Sequence, residues 1–340
     1  MLKFGIFDHL DLGTAPPSQL FKDRLSLLET YDRSGFHGYH LAEHHGTTLG
    51  VASSPSVFLA AAIQRTKHLR LGPLNYSVSL YHPLRLLEEI CMLDHMSDGR
   101  LELGVGRGVS PFEVGYFGVE PAKTPAIFRE VLEILRSGFA NPTLTHEGEF
   151  FRFRDVPMIL KPLQQPHPPI WYGISSPNSA DWAAKSGLNV VSISRVPIVR
   201  EISDKYRAAW KENGGSPEKM PFIGLSRHVV VGETDAKALE IARPAYRVWR
   251  ESFVRLYKLH GTMPTVLPFP EEFEDAQKTG YTIAGSPATV RDWLTEQITG
   301  AGVTYFAAQL AFGTMTLDEA QGSVGLFAQE VMPALQELGQ

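Results

Sequence analysis

The 340-residue sequence has a single cysteine, Cys91. One thiol can close no internal disulfide and build no thiolate metal cage, so stability must come from a packed core. Long apolar runs are missing too. The longest, Val57 to Ile63, falls far short of the roughly 20 residues that a membrane span requires. Neither sign of charge dominates: 32 Lys and Arg stand against 37 Asp and Glu, for a net charge of -5. The basic residues are scattered and leave no footprint for nucleic acid or anionic lipid. Met1-Leu2-Lys3 passes directly into strand-like Phe4-Gly5-Ile6-Phe7, without the basic and apolar segments of a secretory signal, so a cytoplasmic protein is expected. No Ser/Gly linker, charge block or low-complexity tract divides the chain, and residues 1–340 read as one domain that acts on a small molecule.

What is present is alternation. Short β-branched and aromatic runs at Lys3–Phe7, Gly38–Ala42, Arg70–Val78, Arg100–Val105, Ile170–Gly173, Val190–Ile193, Ile223–Val231 and Thr304–Leu310 predict eight strands. Helical periodicity fills the stretches between them, near residues 18–34, 55–65, 83–96, 125–138, 178–186, 198–213, 234–260, 287–299 and 316–337. Alternating βα units imply a parallel sheet with right-handed crossovers, and eight of them predict an α/β fold, the (β/α)8 TIM barrel. The surplus of about 90 residues over a minimal barrel falls in two insertions. Residues 141–169 read as a β-hairpin turning at Glu147-Gly148, followed by a Pro-rich approach to the fifth strand. Residues 260–284, with several prolines and glycines, read as a loop above the barrel mouth that serves as a lid.

Candidate chemistry gathers at strand ends, where such barrels place their sites. Strand two ends in Glu43-His44-His45. Successive residues there face opposite sides, and the spacing differs from a helical H-E-x-x-H motif, so no metal site is expected. Strand four runs into Gly104-Val105-Gly106-Arg107-Gly108, a flexible loop around one guanidinium that suits a phosphate. Its third glycine comes one residue too early for the dinucleotide fingerprint, and Pro111 interrupts the helix that the fingerprint needs, which argues against a Rossmann site. After strand five, Ser175, Ser176 and Ser179 open a helix whose unpaired N–H groups favour an anion. Gly285-Ser286-Pro287 competes for the same role. Trp182, Trp210 and Trp249 read as packing residues, and Asp94 to Arg100 as a structural turn.

Together these residues resemble the bacterial-luciferase-like, flavin-dependent monooxygenases. The features that carry the resemblance are Glu43-His44-His45, Tyr81-His82-Pro83-Leu84-Arg85, Leu93 to Arg100, the Arg107 loop, Lys161 to Ile170, and the serine-rich helix start ending Asp181-Trp182-Ala183-Ala184. The agreement runs from Lys3 through Val191 and continues more weakly to the end. The resemblance implies a TIM barrel that binds reduced FMN at its C-terminal mouth. It also implies a homodimer packed through early helices and a separate NAD(P)H:flavin reductase as electron source. By position it implies Arg107, Ser175, Ser176 and Ser179 for the flavin phosphate, Asn75 beneath the isoalloxazine after a cis peptide at Leu74-Asn75, and His44 as the catalytic histidine. Glu43, His45, Ser194 and Arg195 are expected at the substrate rim. The implied chemistry is reaction of reduced flavin with O2 to a C4a-peroxide that oxygenates a small organic substrate.

Two departures remove any implication of luminescence. Gly106 stands where the luciferase α subunit has a reactive cysteine, and Ser175 stands where it has an acid. Two other readings share the resemblance: hydride transfer with a deazaflavin on the same fold, and a non-catalytic flavin-binding subunit.

Overall fold

Each of the eight apolar runs forms a strand in the computed structural model, which describes residues 2–108, 110–265 and 267–337. The strands are β1 (Lys3–Asp8), β2 (Gly38–Leu41), β3 (Arg70–Pro73) with β4 (Tyr76–Ser77), β5 (Leu103–Gly106), β8 (Ile170–Gly173), β9 (Asn189–Ser192), β10 (Ile223–Val231) and β12 (Tyr305–Gln309). The third run is thus two short strands rather than one, parted at the cis peptide Leu74-Asn75. All neighbours are parallel, in the order β3-β2-β1-β12-β10-β9-β8-β5-β4. That path starts and finishes on strands consecutive in the chain, and Leu71 of β3 bridges Leu101, just ahead of β5. The sheet therefore closes into the expected (β/α)8 barrel.

The outer helices are α1 (Pro17–Arg33), α2 (Pro55–Arg65), α3 (Pro83–Met96), α4 (Pro111–Tyr116), α5 (Thr124–Ala140), α6 (Ala180–Lys185), α7 (Val196–Glu212), α8 (Asp235–Leu259), α9 (Phe273–Lys278), α10 (Pro287–Ala301), α11 (Leu317–Leu326) and α12 (Met332–Glu337). Pro17, Pro55, Pro83, Pro111 and Pro287 each take the first helical position, where the missing N–H costs nothing and the fixed φ fits. Pro111, read from the sequence as an interruption, instead opens α4 behind the Ser110 cap. The case against a Rossmann site rests on the closed barrel, not on that proline. No described helix is long and apolar enough to cross a membrane.

In the first insertion, β6 (Thr143–Glu147) and β7 (Arg152–Pro157) pair antiparallel as the expected hairpin. Glu130 of α5 holds its turn by accepting from the backbone N–H groups of Phe150 and Phe151. The second insertion differs from the expected loop. Residues 260–284 include α9 and end in β11 (Thr282–Gly285), which pairs with the upper half of β10 from His228 to Val231. Residue 266 lies outside the described residues. Phe269 is buried against Trp249, Phe253 and Tyr281 at ring centroid distances of 4.9, 4.9 and 4.7 Å. The Phe269 carbonyl accepts from Arg250, and that of Pro270 from Tyr246. The segment is anchored to α8 as a wall. Leu74, Trp171, Val191, Tyr305 and Ala307 fill the barrel interior below the mouth.

Candidate functional site

The C-terminal ends of β2, β4, β5 and β8 bring together most of the residues singled out in the sequence. His44 follows β2 and stands with its Nδ1 3.2 Å from Oε1 of Glu113. The other Glu113 oxygen accepts the backbone N–H of His45 at 2.8 Å. A carboxylate can only accept, so His44 carries its neutral-state proton on Nδ1, and Nε2 is left as the basic nitrogen. Glu113 was not singled out from the sequence. It lies three residues after Ser110, whose hydroxyl accepts from the Glu113 N–H at 3.4 Å, so the capping-type spacing Ser-Pro-Phe-Glu was a signal that could have found it.

Glu43 was expected at the rim. Its side chain is instead wholly buried, with Oε1 2.7 Å from Nε2 of His45 and Oε2 accepting the Ser77 N–H at 2.9 Å. It braces the end of β2 against β4. His45 is partly buried, turned to Glu43 and packed on Phe117 at 4.6 Å, so the two adjacent histidines serve different carboxylates.

Asn75 begins where the cis peptide ends and lies between two bare stretches of backbone. A methyl group at Gly106 would meet its Nδ2 at 2.9 Å, and one at Gly173 would meet it at 3.2 Å. Only glycine leaves that amide uncovered at both points. Its Oδ1 is buried and has no partner. A buried carbonyl left unpaired costs about 1–3 kcal/mol, which a planar ligand with an N–H edge would offset.

Arg107 is exposed, and its carbonyl accepts from the Ser79 hydroxyl at 2.8 Å. Leu103 pairs with Ile170, and carrying that register four residues up both chains sets Arg107 level with Ile174, next to the serine-rich turn. Tyr172 lies within the electrostatic reach of Arg107: burial raises the phenol's pKa and the guanidinium opposes the rise. Ser176 caps a short turn, Pro177–Ser179, ahead of α6, while Ser175 is exposed and Ser179 half-buried. The competing start at Ser286 is already filled by a carboxylate of the chain itself. Asp235 accepts the Ser286 N–H at 2.6 Å, and its pKa is lowered by that and neighbouring hydrogen bonds.

Ser194 does not reach a rim. It is buried, its N–H donating to Ser192 and its carbonyl accepting from Arg227 at 2.9 Å. Arg195 is exposed at the start of α7.

The upper barrel also holds groups that the sequence reading left aside. His9, one residue past β1, stacks on His44 with ring centroids 5.7 Å apart and planes 21° apart. His228 on β10 is buried, packs on Trp249 at 4.0 Å, and has neither ring nitrogen partnered. Burial lowers its pKa to about 3. His9 follows the end of β1 by one residue as His44 follows the end of β2 by three, and that place beyond a barrel strand was the available signal.

Residues 2–305 match the luciferase-like monooxygenase family. An uncharacterised protein of Sinorhizobium fredii is 42% identical over 97% of this chain and 96% of its own length. The oxygenase component of the flavin-dependent trigonelline monooxygenase of Acinetobacter baylyi is 27% identical, over 99% and 96% of the two chains. Among solved structures, the monooxygenase RslO1 from Streptomyces bottropensis superposes with a TM-score of 0.86 at 28% identity, covering 98% of this chain and 99% of that one. A closed barrel with its strand-end residues in this arrangement, matched over nearly the whole sequence, belongs to the luciferase-like monooxygenase family.

Proposed function

We propose that this protein is the oxygenase component of a two-component FMN monooxygenase. FMN reduced by a separate NAD(P)H:flavin reductase binds in the C-terminal mouth, and one atom of O2 enters a small organic substrate. The observation that carries the reading is the buried, unpartnered Oδ1 of Asn75, whose Nδ2 faces the bare backbone of Gly106 and Gly173 at the same end of the barrel as His44 and Glu113. The relative from Acinetobacter baylyi, named as a flavin-dependent oxygenase component, supports the same assignment.

Reduced flavin supplies the reaction with O2, and the chain's own residues do the rest. Asn75 hydrogen-bonds the ring edge. Arg107 offers its planar fork to the phosphate, with Ser175, Ser176 and Ser179 as hydroxyl partners. His44 accepts or returns a proton at Nε2 while Glu113 holds Nδ1, an arrangement suited to general acid–base catalysis. The aromatic wall of Trp249, Phe253 and Phe269 limits water at the mouth. A homodimer through the early helices suits the apolar side chains of Val57, Met92 and Met96, which are 72%, 53% and 42% exposed.

The test mixes protein and photoreduced FMN with O2 in a stopped flow. Bound FMN should reoxidise more slowly than free FMN; equal rates with no binding would overturn the proposal. Stronger binding of a deazaflavin than of FMN would replace it with hydride transfer. Arg107→Ala should weaken FMN about tenfold to a hundredfold, the range of one charge-assisted contact, and leave riboflavin unchanged. Equal losses for both ligands would remove Arg107 from the phosphate.

A further inference from the structure

His9 and His44 lie at the ends of neighbouring strands, since β1 and β2 pair with Asp8 level with Leu41. Their rings stack, and Gly50 backs both residues: a methyl group there would meet the His9 carbonyl oxygen at 2.9 Å and the His44 Cβ at 3.2 Å. The two imidazoles have opposite surroundings. His44 faces a carboxylate, with Oε1 of Glu113 3.2 Å from its Nδ1. Nδ1 of His9 accepts from the indole N–H of Trp249 at 3.4 Å. An indole nitrogen can only donate, so that lone pair is taken and the His9 proton is confined to Nε2. Gln309 lies close to the ring, its amide nitrogen donating to Ser226 at 3.3 Å, and its side chain opposes part of the fall in the His9 pKa that burial causes. Phe7 packs edge-on against the His9 ring at 4.8 Å.

From this geometry we propose that His9 is a positioning residue for His44: it fixes the plane of the His44 ring by stacking and, remaining uncharged, leaves the proton of the stacked pair to His44. The inference rests on the reading of His44 as the proton-handling group. The titratable groups that face His9 are His44 and His228, and those that face His44 are His9 and Glu113. Burial lowers the His9 pKa well below its ordinary value, and the nearby His44 and His228 lower it further. Two cations a ring's width apart would repel in a site largely shielded from water. One ring must therefore stay neutral, and the hydrogen bonds select which.

The test has two arms. In flavin-free protein with 15N-labelled histidine, His9 should remain the neutral Nε2–H tautomer down to pH 5. Trp249→Phe should free its Nδ1 and move its protonation to higher pH. A His9 that protonates between pH 6 and 7 in the wild type overturns the inference, whatever the activity. In the second arm, reoxidation of bound reduced FMN is followed against pH. His9→Ala should shift the rate at least about tenfold in the direction of His44→Ala, the scale of effect expected when a reacting group is misplaced. His9→Phe, which keeps the flat ring, should recover most of it, and FMN affinity should stay within threefold in both variants. A wild-type profile for His9→Ala beside a changed one for His44→Ala overturns the inference alone. Wild-type profiles for both overturn the role of His44 and the inference with it. A loss of stability in His9→Ala with an unchanged pH profile reduces His9 to packing and also overturns the proposal.

Discussion

In the lower barrel Glu102 is buried but pairs with Arg70 and accepts from the Trp171 indole. Arg70 in turn donates to Gln164 at 2.8 Å, and Gln164 to Asp94 at 2.7 Å. His40 and the Tyr305 hydroxyl meet at 2.8 Å. At the upper end Asn75 Oδ1, both ring nitrogens of His228 and the Thr282 hydroxyl are buried without partners, whereas the lower network leaves only Nδ1 of His40 so among the described residues. The same closed sheet thus carries a polar cluster that satisfies all but one of its buried groups and another that leaves several open. The first stabilises the closure of β3 on β5; the second is where a ligand gains most by supplying the missing partners.

Three measurements would break or sharpen this contrast. The largest effect is expected at the lower end, where Arg70→Ala strands the Glu102 carboxylate in the core. Urea denaturation should show a loss of about 3 kcal/mol, the penalty of a buried charge deprived of its partner. A loss under about 1 kcal/mol would mean that Trp171 and water satisfy Glu102 without the arginine.

The second effect depends on pH. Burial, with His37 and Arg70 nearby, lowers the His40 pKa to about 3. Between the ordinary value near 6.5 and that figure, the unfolded chain holds a proton that the folded chain refuses. The contribution is therefore fully present above pH 6.5 and is lost as pH falls, by about 1.4 kcal/mol per pH unit for this one group. His40→Phe should flatten the decline of stability between pH 6.5 and 4.5 by that slope. An unchanged slope would show that the ring takes its proton inside the fold.

The smallest effect belongs to the upper end. Thr282→Val removes a hydroxyl without a partner while keeping the shape, so stability should be unchanged or rise by up to about 1 kcal/mol. A clear loss would reveal a partner for that hydroxyl and shrink the difference between the two ends.

Much of this was legible in the residues. The apolar runs marked all eight barrel strands, and Glu147-Gly148 marked the turn of the hairpin. His44, Arg107 and Ser176 stand out because strand ends and helix starts advertise themselves by local chemistry, whereas Asn75 stands out only through the family resemblance. β11 was hidden. Its four residues precede Gly285-Ser286-Pro287, which reads as a turn, and only pairing with β10 makes them a strand. α4 was hidden behind Pro111, a residue whose meaning reverses between a helix interior and its first position. The burial of Glu43 and Ser194 could not be read either, because the atoms that satisfy them belong to Ser77, His45, Ser192 and Arg227.

The sequence by itself determined the periodic pattern, the parallel closed sheet that follows from it, and the strand ends that hold reactive side chains. Which side chains meet was decided only by the tertiary structure. Glu113 reaches His44 across 69 residues, and Trp249 reaches His9 across 240. Periodicity is a property of neighbours along the chain, whereas a hydrogen bond between distant residues exists only once closure of the barrel has set their separation.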